Sequence, residues 1–100
     1  MSSLLPVILV TSSCIPSPDK EVPIEEKSAE EIFNEAEDLL RKKTEVNIEK
    51  GISYLNKVEL LHPYSPYAKR ALITLAVTYH EEQDFENARL SASRFLEFYP

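Results

Sequence analysis

The chain has 100 residues, with one glycine, seven prolines, no tryptophan and a formal net charge of −6. That length holds one small domain, and one glycine is too few for the turns of a β-rich fold, so an all-α fold is expected. Acids and bases are interspersed, which describes a solvated acidic surface and lacks the basic face that nucleic acid requires.

The first charged side chain is Asp19. Before it, Leu4 to Val10 reads LLPVILV, an apolar run of roughly 10 Å as a helix against the ~30 Å of a bilayer core. It cannot span a membrane, but it is the right size for the apolar region of a secretory signal peptide, here residues 1–13. The plainer alternative is an unstructured N-terminus. Small residues Thr11, Ser12 and Ser13 follow, and then Cys14, the only cysteine. A single cysteine forms no internal disulfide and builds no cysteine-rich metal site. A sulfur nucleophile directly after small residues and a short apolar run fits lipidation at a leader cleavage site. Thr11 stands where leucine is usual, and an incidental thiol is the alternative. Ile15 to Lys27, IPSPDKEVPIEEK, combines prolines and charges that oppose both helix and core. Residues 14–27 therefore read as a lipidated cysteine and an extended tether, of which thirteen residues could reach roughly 40 Å.

From Ser28 the pattern is helical. SAEE is a capping box, with Ser28 as N-cap and Glu31 reaching back, and Ile32, Phe33, Ala36, Leu39 and Leu40 follow at helical spacing. The first helix is expected over 29–43, with early acids and late bases that suit its dipole. The second is expected to start near Asn47 as N-cap and to carry Ile48, Ile52, Leu55, Val58 and Leu61, ending at His62-Pro63. The third starts at Ser65-Pro66, N-cap and N1, and buries Tyr67, Ala71, Leu72, Leu75, Ala76 and Tyr79. Asp84 caps the fourth, which carries Phe85, Ala88, Leu90, Ala92, Phe95, Leu96 and Phe98 and closes at Pro100.

These helices form two copies of one unit. Ile32, Ala36 and Leu39 return 40 residues later as Leu72, Ala76 and Tyr79. Ile48, Gly51, Leu55, Val58 and Pro63 return 37 residues later as Phe85, Ala88, Ala92, Phe95 and Pro100. The difference of three is assigned to a longer loop around 43–46. Helix pairs with small residues at the crossing (Ala36/Gly51 and Ala76/Ala88) and a closing proline are the tetratricopeptide (TPR) pattern, a TPR-like α-α superhelix. The units are 28–63 and 64–100; a generic four-helix bundle is the alternative, but leaves the shared prolines unexplained.

The turn HPYSPYA, His62 to Ala68, and the ending formed by Ala92, Arg94, Phe95, Leu96 and Pro100 resemble the BamD family, the lipoprotein subunit of the bacterial β-barrel assembly machinery. The resemblance covers Ser28 to Pro100 and implies an N-terminal portion, since family members carry about five repeats. It implies an outer-membrane lipoprotein facing the periplasm and anchored by acyl chains on Cys14. It also implies a scaffold for inserting β-barrel proteins, with Bam complex subunits and unfolded outer-membrane proteins as partners. A soluble periplasmic TPR adaptor in envelope division shares the Tyr-Ser-Pro-Tyr turn, and an accessory subunit of a cell-wall enzyme is a further alternative. A cytosolic TPR co-chaperone would want a basic groove that Lys50, Lys57, Lys69 and Arg70 do not clearly supply.

The candidate binding residues are Tyr64, Tyr67 and Tyr79, which could line a groove for an extended peptide or pack the third helix onto its neighbours. His62 and His80 lack partners at metal-ligand spacing, so no metal is expected. One glycine permits no glycine-rich phosphate loop, and no nucleophile sits in a recognisable motif. The chain is therefore expected to be no enzyme and to need no cofactor. Two repeats alone leave the last helix without a cap, so Phe95, Phe98 and Tyr99 are expected to be partly exposed.

Overall fold

A computed structural model describes residues 22–100. The signal-peptide reading of 1–13 and the Cys14 lipidation site lie outside these residues. The described chain is all-helical: α1 (Ala29–Lys42), α2 (Glu45–Leu61), α3 (Pro66–Glu81) and α4 (Phe85–Phe98), preceded by a short 3-10 turn, Ile24–Glu26. Among the described residues there is no strand. Neighbours in sequence pack together, α1 on α2, α2 on α3 and α3 on α4, and α3 also touches α1. This is a TPR-like helical repeat of two units.

Local chemistry starts each helix. The Ser28 hydroxyl accepts the Glu31 N–H at 3.1 Å, and the Glu31 carboxylate accepts the Ser28 N–H at 2.9 Å. Those bonds, the backbone one first, hold the Glu31 carboxyl below its usual range. Ser65 and Asp84 cap α3 and α4 through the N–H groups of Ala68 and Asn87, and Pro66 opens α3. The two units also stop alike. His62 (φ −134°, ψ 59°) and Tyr99 (φ −135°, ψ 62°) end α2 and α4 in nearly the same conformation, each held out of the helical region by the following proline.

Two sequence expectations need correction. The second helix begins at Glu45, because Thr44 and not Asn47 is its N-cap: the Thr44 hydroxyl accepts the Asn47 N–H at 3.2 Å, after Lys43 turns the chain in the left-handed region (φ 59°). The offset of three between the repeats is therefore not a longer loop. It is an extra turn at the start of α2, which has 17 residues against 14 in α4. The tether expected through Lys27 also ends early. Ile24 packs against the core, Lys27 pairs with Glu35 at 2.8 Å, and the Lys27 carbonyl lies 2.9 Å from Nε2 of His62. One apolar side chain and a backbone bond to the inter-repeat turn dock this stretch despite its prolines.

The core is built from Ile32, Phe33 and Ala36 of α1, Leu55 and Val58 of α2, and Ala71, Leu72 and Leu75 of α3. Large side chains buried this completely contribute about 1.5–3 kcal/mol each. Gly51 lets α2 cross α1 closely: a Cβ there would lie 2.8 Å from Leu40 Cδ2 and 3.2 Å from the Ala36 carbonyl oxygen. The core thins toward the end of the chain, where Ala88 and Ser91 are the buried residues of α4.

Candidate functional site

The end of α2, the turn 62–65 and the end of α4 enclose a groove of about 620 Å³. Its position follows from the repeat. The second helix of each unit, α2 and α4, stops beside a proline, and the Tyr99 hydroxyl at the end of α4 donates to the Pro63 carbonyl at 3.1 Å, drawing the two ends together. Asn56, Glu59 and Leu60 line it from α2, Pro63 and Tyr64 from the turn, and Arg94, Phe98 and Tyr99 from the far side.

Three large apolar groups stand in solvent around this groove: Tyr64 at 99 % exposure, Leu60 at 70 % and Phe98 at 57 %. Such a cluster is what a docking surface shows and a solvated helix end does not need. Between them Arg94 forms an ion pair and hydrogen bond with Glu59. The Glu59 side chain is nearly covered and Arg94 is half-exposed. Burial pushes the Glu59 carboxyl above its usual value, and Arg94 opposes that rise. A guanidinium has five donors, so those that Arg94 does not spend on Glu59 can reach the carbonyls of an incoming main chain.

The three tyrosines singled out from the sequence do not share this groove. Tyr64 lines it. Tyr67 turns toward α1, its ring 5.6 Å from that of Phe33, and the Arg70 guanidinium lies 4.6 Å from the Phe33 ring and 5.4 Å from the Tyr67 ring. Burial and the neighbouring Glu30 carboxylate raise its phenol above the usual value. Tyr79 packs against the core near the far end of α3, roughly 20 Å along the helix from Tyr64. Leu60 was outside the sequence reading. Its signal was available: it is an apolar residue off the stripe of Leu55, Val58 and Leu61. The Glu59–Arg94 pair spans 35 residues and has no sequence signal. Phe98, Phe95 and Tyr99 meet the expectation of partial exposure, with the latter two half-buried.

With that geometry in view, the comparison with known families is informative. Residues 25–100 match the family model described as outer membrane lipoprotein, YfiO. The chain belongs to the YfiO family. The match covers both units and agrees, at the level of the family, with the resemblance carried by the HPYSPYA turn. No curated protein and no solved structure matches the chain. An outer membrane lipoprotein family is compatible with an anchor that is not a spanning helix: among the described residues no helix is long and apolar enough to cross a membrane. The YfiO match reaches from the docked turn at Ile24–Glu26 to Pro100, so the described repeats are the part of the chain that carries the family's features.

Proposed function

We propose that this protein acts as BamD-type lipoproteins do, as a scaffold of the β-barrel assembly machinery held at the periplasmic face of the outer membrane. Acyl chains on Cys14 anchor it, and residues between Cys14 and Val22 act as the tether. The groove at the inter-repeat turn holds an extended segment of an unfolded outer-membrane protein, and other faces hold partner subunits. The work is done by binding, with no chemistry. The observation that carries the reading is the ring of exposed Leu60, Tyr64 and Phe98 around Arg94. An outer-membrane strand presents apolar and aromatic side chains on alternate positions. Those side chains can enter between Leu60, Tyr64 and Phe98 while main-chain carbonyls accept from Arg94.

Binding of a fluorescent peptide from the last strand of an outer-membrane barrel, followed by anisotropy, tests this. Leu60→Asp places a charge among exposed apolar groups and leaves the fold intact. It is expected to weaken binding about tenfold, the scale of one good anchor. Cys14→Ser is expected to leave peptide binding unchanged while releasing the protein from the membrane fraction. Equal binding by the Leu60→Asp variant would contradict the groove reading.

A further inference from the structure

Both lysines in the middle of α2 fall on one stripe. Lys50, Ser53, Tyr54 and Lys57 follow at i, i+3, i+4 and i+7. The docked turn at Ile24–Glu26 lies beside that stripe, and Tyr54 lines two shallow hollows there. One, of about 380 Å³, is lined by Val22 and Pro23 together with Ser53 and Lys57. The other, of about 300 Å³, brings Lys42 of α1 to Lys50, with Lys27, Glu35 and Asp38 between the same elements.

The charges on this face do not cancel. Glu35 is paired with Lys27 at 2.8 Å, and Asp38 with Arg41. Among the described residues Lys42, Lys50 and Lys57 form no ion pair, and the Lys50 ammonium lies 5.8 Å from the centre of the Tyr54 ring. Glu25 and Glu26 of the docked turn line neither hollow. Ordinary helix chemistry accounts for Lys42, in the last turn of α1, but not for the other two. Neither Lys50 nor Lys57 is in the last turn of α2, and neither has an acid three or four residues away on that helix. On a chain of net charge −6, three unpaired ammonium groups around one tyrosine reverse the sign of the surface locally. The second observation is where the chain enters. Val22, the first described residue, is 51 % exposed and lines the first hollow. Cys14 is eight residues upstream, a reach of about 25 Å in extended polyproline form. With the anchor on Cys14, this face is the one held next to the bilayer.

We propose that the face formed by Lys42, Lys50, Tyr54 and Lys57 rests on the bilayer and binds the phosphate headgroups of anionic phospholipid. The ammonium groups meet the headgroup phosphates, and Tyr54 and Val22 supply the amphipathic and apolar contacts that a membrane interface favours. Anchor and face together then fix how the repeats lie on the membrane. No residue of this face lines the groove at Tyr64, so that groove stays open to substrate. The closeness of the membrane rests on the proposed acylation of Cys14; the charge argument does not, and the test is made without the acyl chains.

The full chain carrying Cys14→Ser is sedimented at low salt with vesicles of phosphatidylcholine alone, or of phosphatidylcholine and phosphatidylglycerol in equal parts. The apolar leader is common to every sample, so the readout is the ratio of binding to the two vesicle types. A preference for the anionic vesicles is expected, reduced about fivefold by Lys50→Gln and again by Lys57→Gln. Lys69→Gln removes an exposed lysine of α3 that lines neither hollow, and is expected to leave the ratio unchanged. Equal binding to both vesicle types, or a loss from Lys69→Gln as large as that from Lys50→Gln, would overturn the proposal. Release by inorganic phosphate at constant ionic strength would also overturn it, since a free anion would then be the ligand. An unacylated Cys14 in the mass of the mature protein would contradict the anchor and not the lysine face, so the two failures are distinguishable.

Discussion

Glu59 and Arg94 are joined across the repeat boundary, and each has a different exposure. Burial raises the Glu59 carboxyl, so in the folded protein it gives up its proton less readily than in the unfolded chain. A raised folded-state pKa contributes stability that is fully present below the unfolded value and is lost as pH rises through the folded one. Arg94 limits that loss by favouring the ionised form. Arg94→Ala is therefore expected to raise the Glu59 pKa further. Its destabilisation is expected to be larger at pH 7 than at pH 4, because the guanidinium stabilises Glu59 only in its ionised form, which rising pH favours. Paired thermal melts at the two pH values check this, and equal losses would show that the pair is electrostatically idle. The pair was not legible in the sequence, because a contact between residues so far apart depends on the superhelical stacking of α2 and α4. Tyr64 was legible, because the turn around it is fixed by Pro63 and Pro66. Tyr67 and Tyr79 were legible as aromatic positions of α3, but which way each faces depends on α1 and the core.

At the scale of elements, the crossing of α1 and α2 depends on Gly51. Alanine there would gain about 1 kcal/mol of helix propensity. It would also place a methyl against Leu40 and the Ala36 carbonyl, and overpacking costs typically 1–3 kcal/mol. Leu40 can swing aside, but the Ala36 backbone cannot without moving α1. Gly51→Ala is thus expected to be net destabilising by about 1 kcal/mol, read as a melting temperature lower by roughly 4–8 °C. The second unit uses alanine at the same place, Ala88, where the counterpart of Leu40 is the exposed His80. Helix existence and order were legible because capping is local: Ser28, Ser65 and Asp84 cap where their chemistry says. The start of α2 was not, because Thr44 and Asn47 are both good caps and only the left-handed turn at Lys43 decides between them. The docking of Ile24 was hidden for a related reason: a single apolar residue among prolines and charges sets no period.

For the whole molecule, two repeats give a core that is dense at α1 and α3 and sparse at α4. The surface that follows is the groove beside the inter-repeat turn. The reading proposed here gives the groove to an extended substrate, with a lipid anchor bringing it to the outer membrane. The central claim is that the turn groove receives unfolded outer-membrane protein. Site-specific photocrosslinking in cells tests it most directly, with a photoreactive residue at Tyr64 or Phe98 and a control at Glu49, an exposed position on α2 outside the groove. The account predicts crosslinks from Tyr64 and Phe98 to newly made outer-membrane barrel proteins, and none from Glu49. Equal crosslinking from all three positions, or none from Tyr64 and Phe98 while barrel proteins are being assembled, would contradict it.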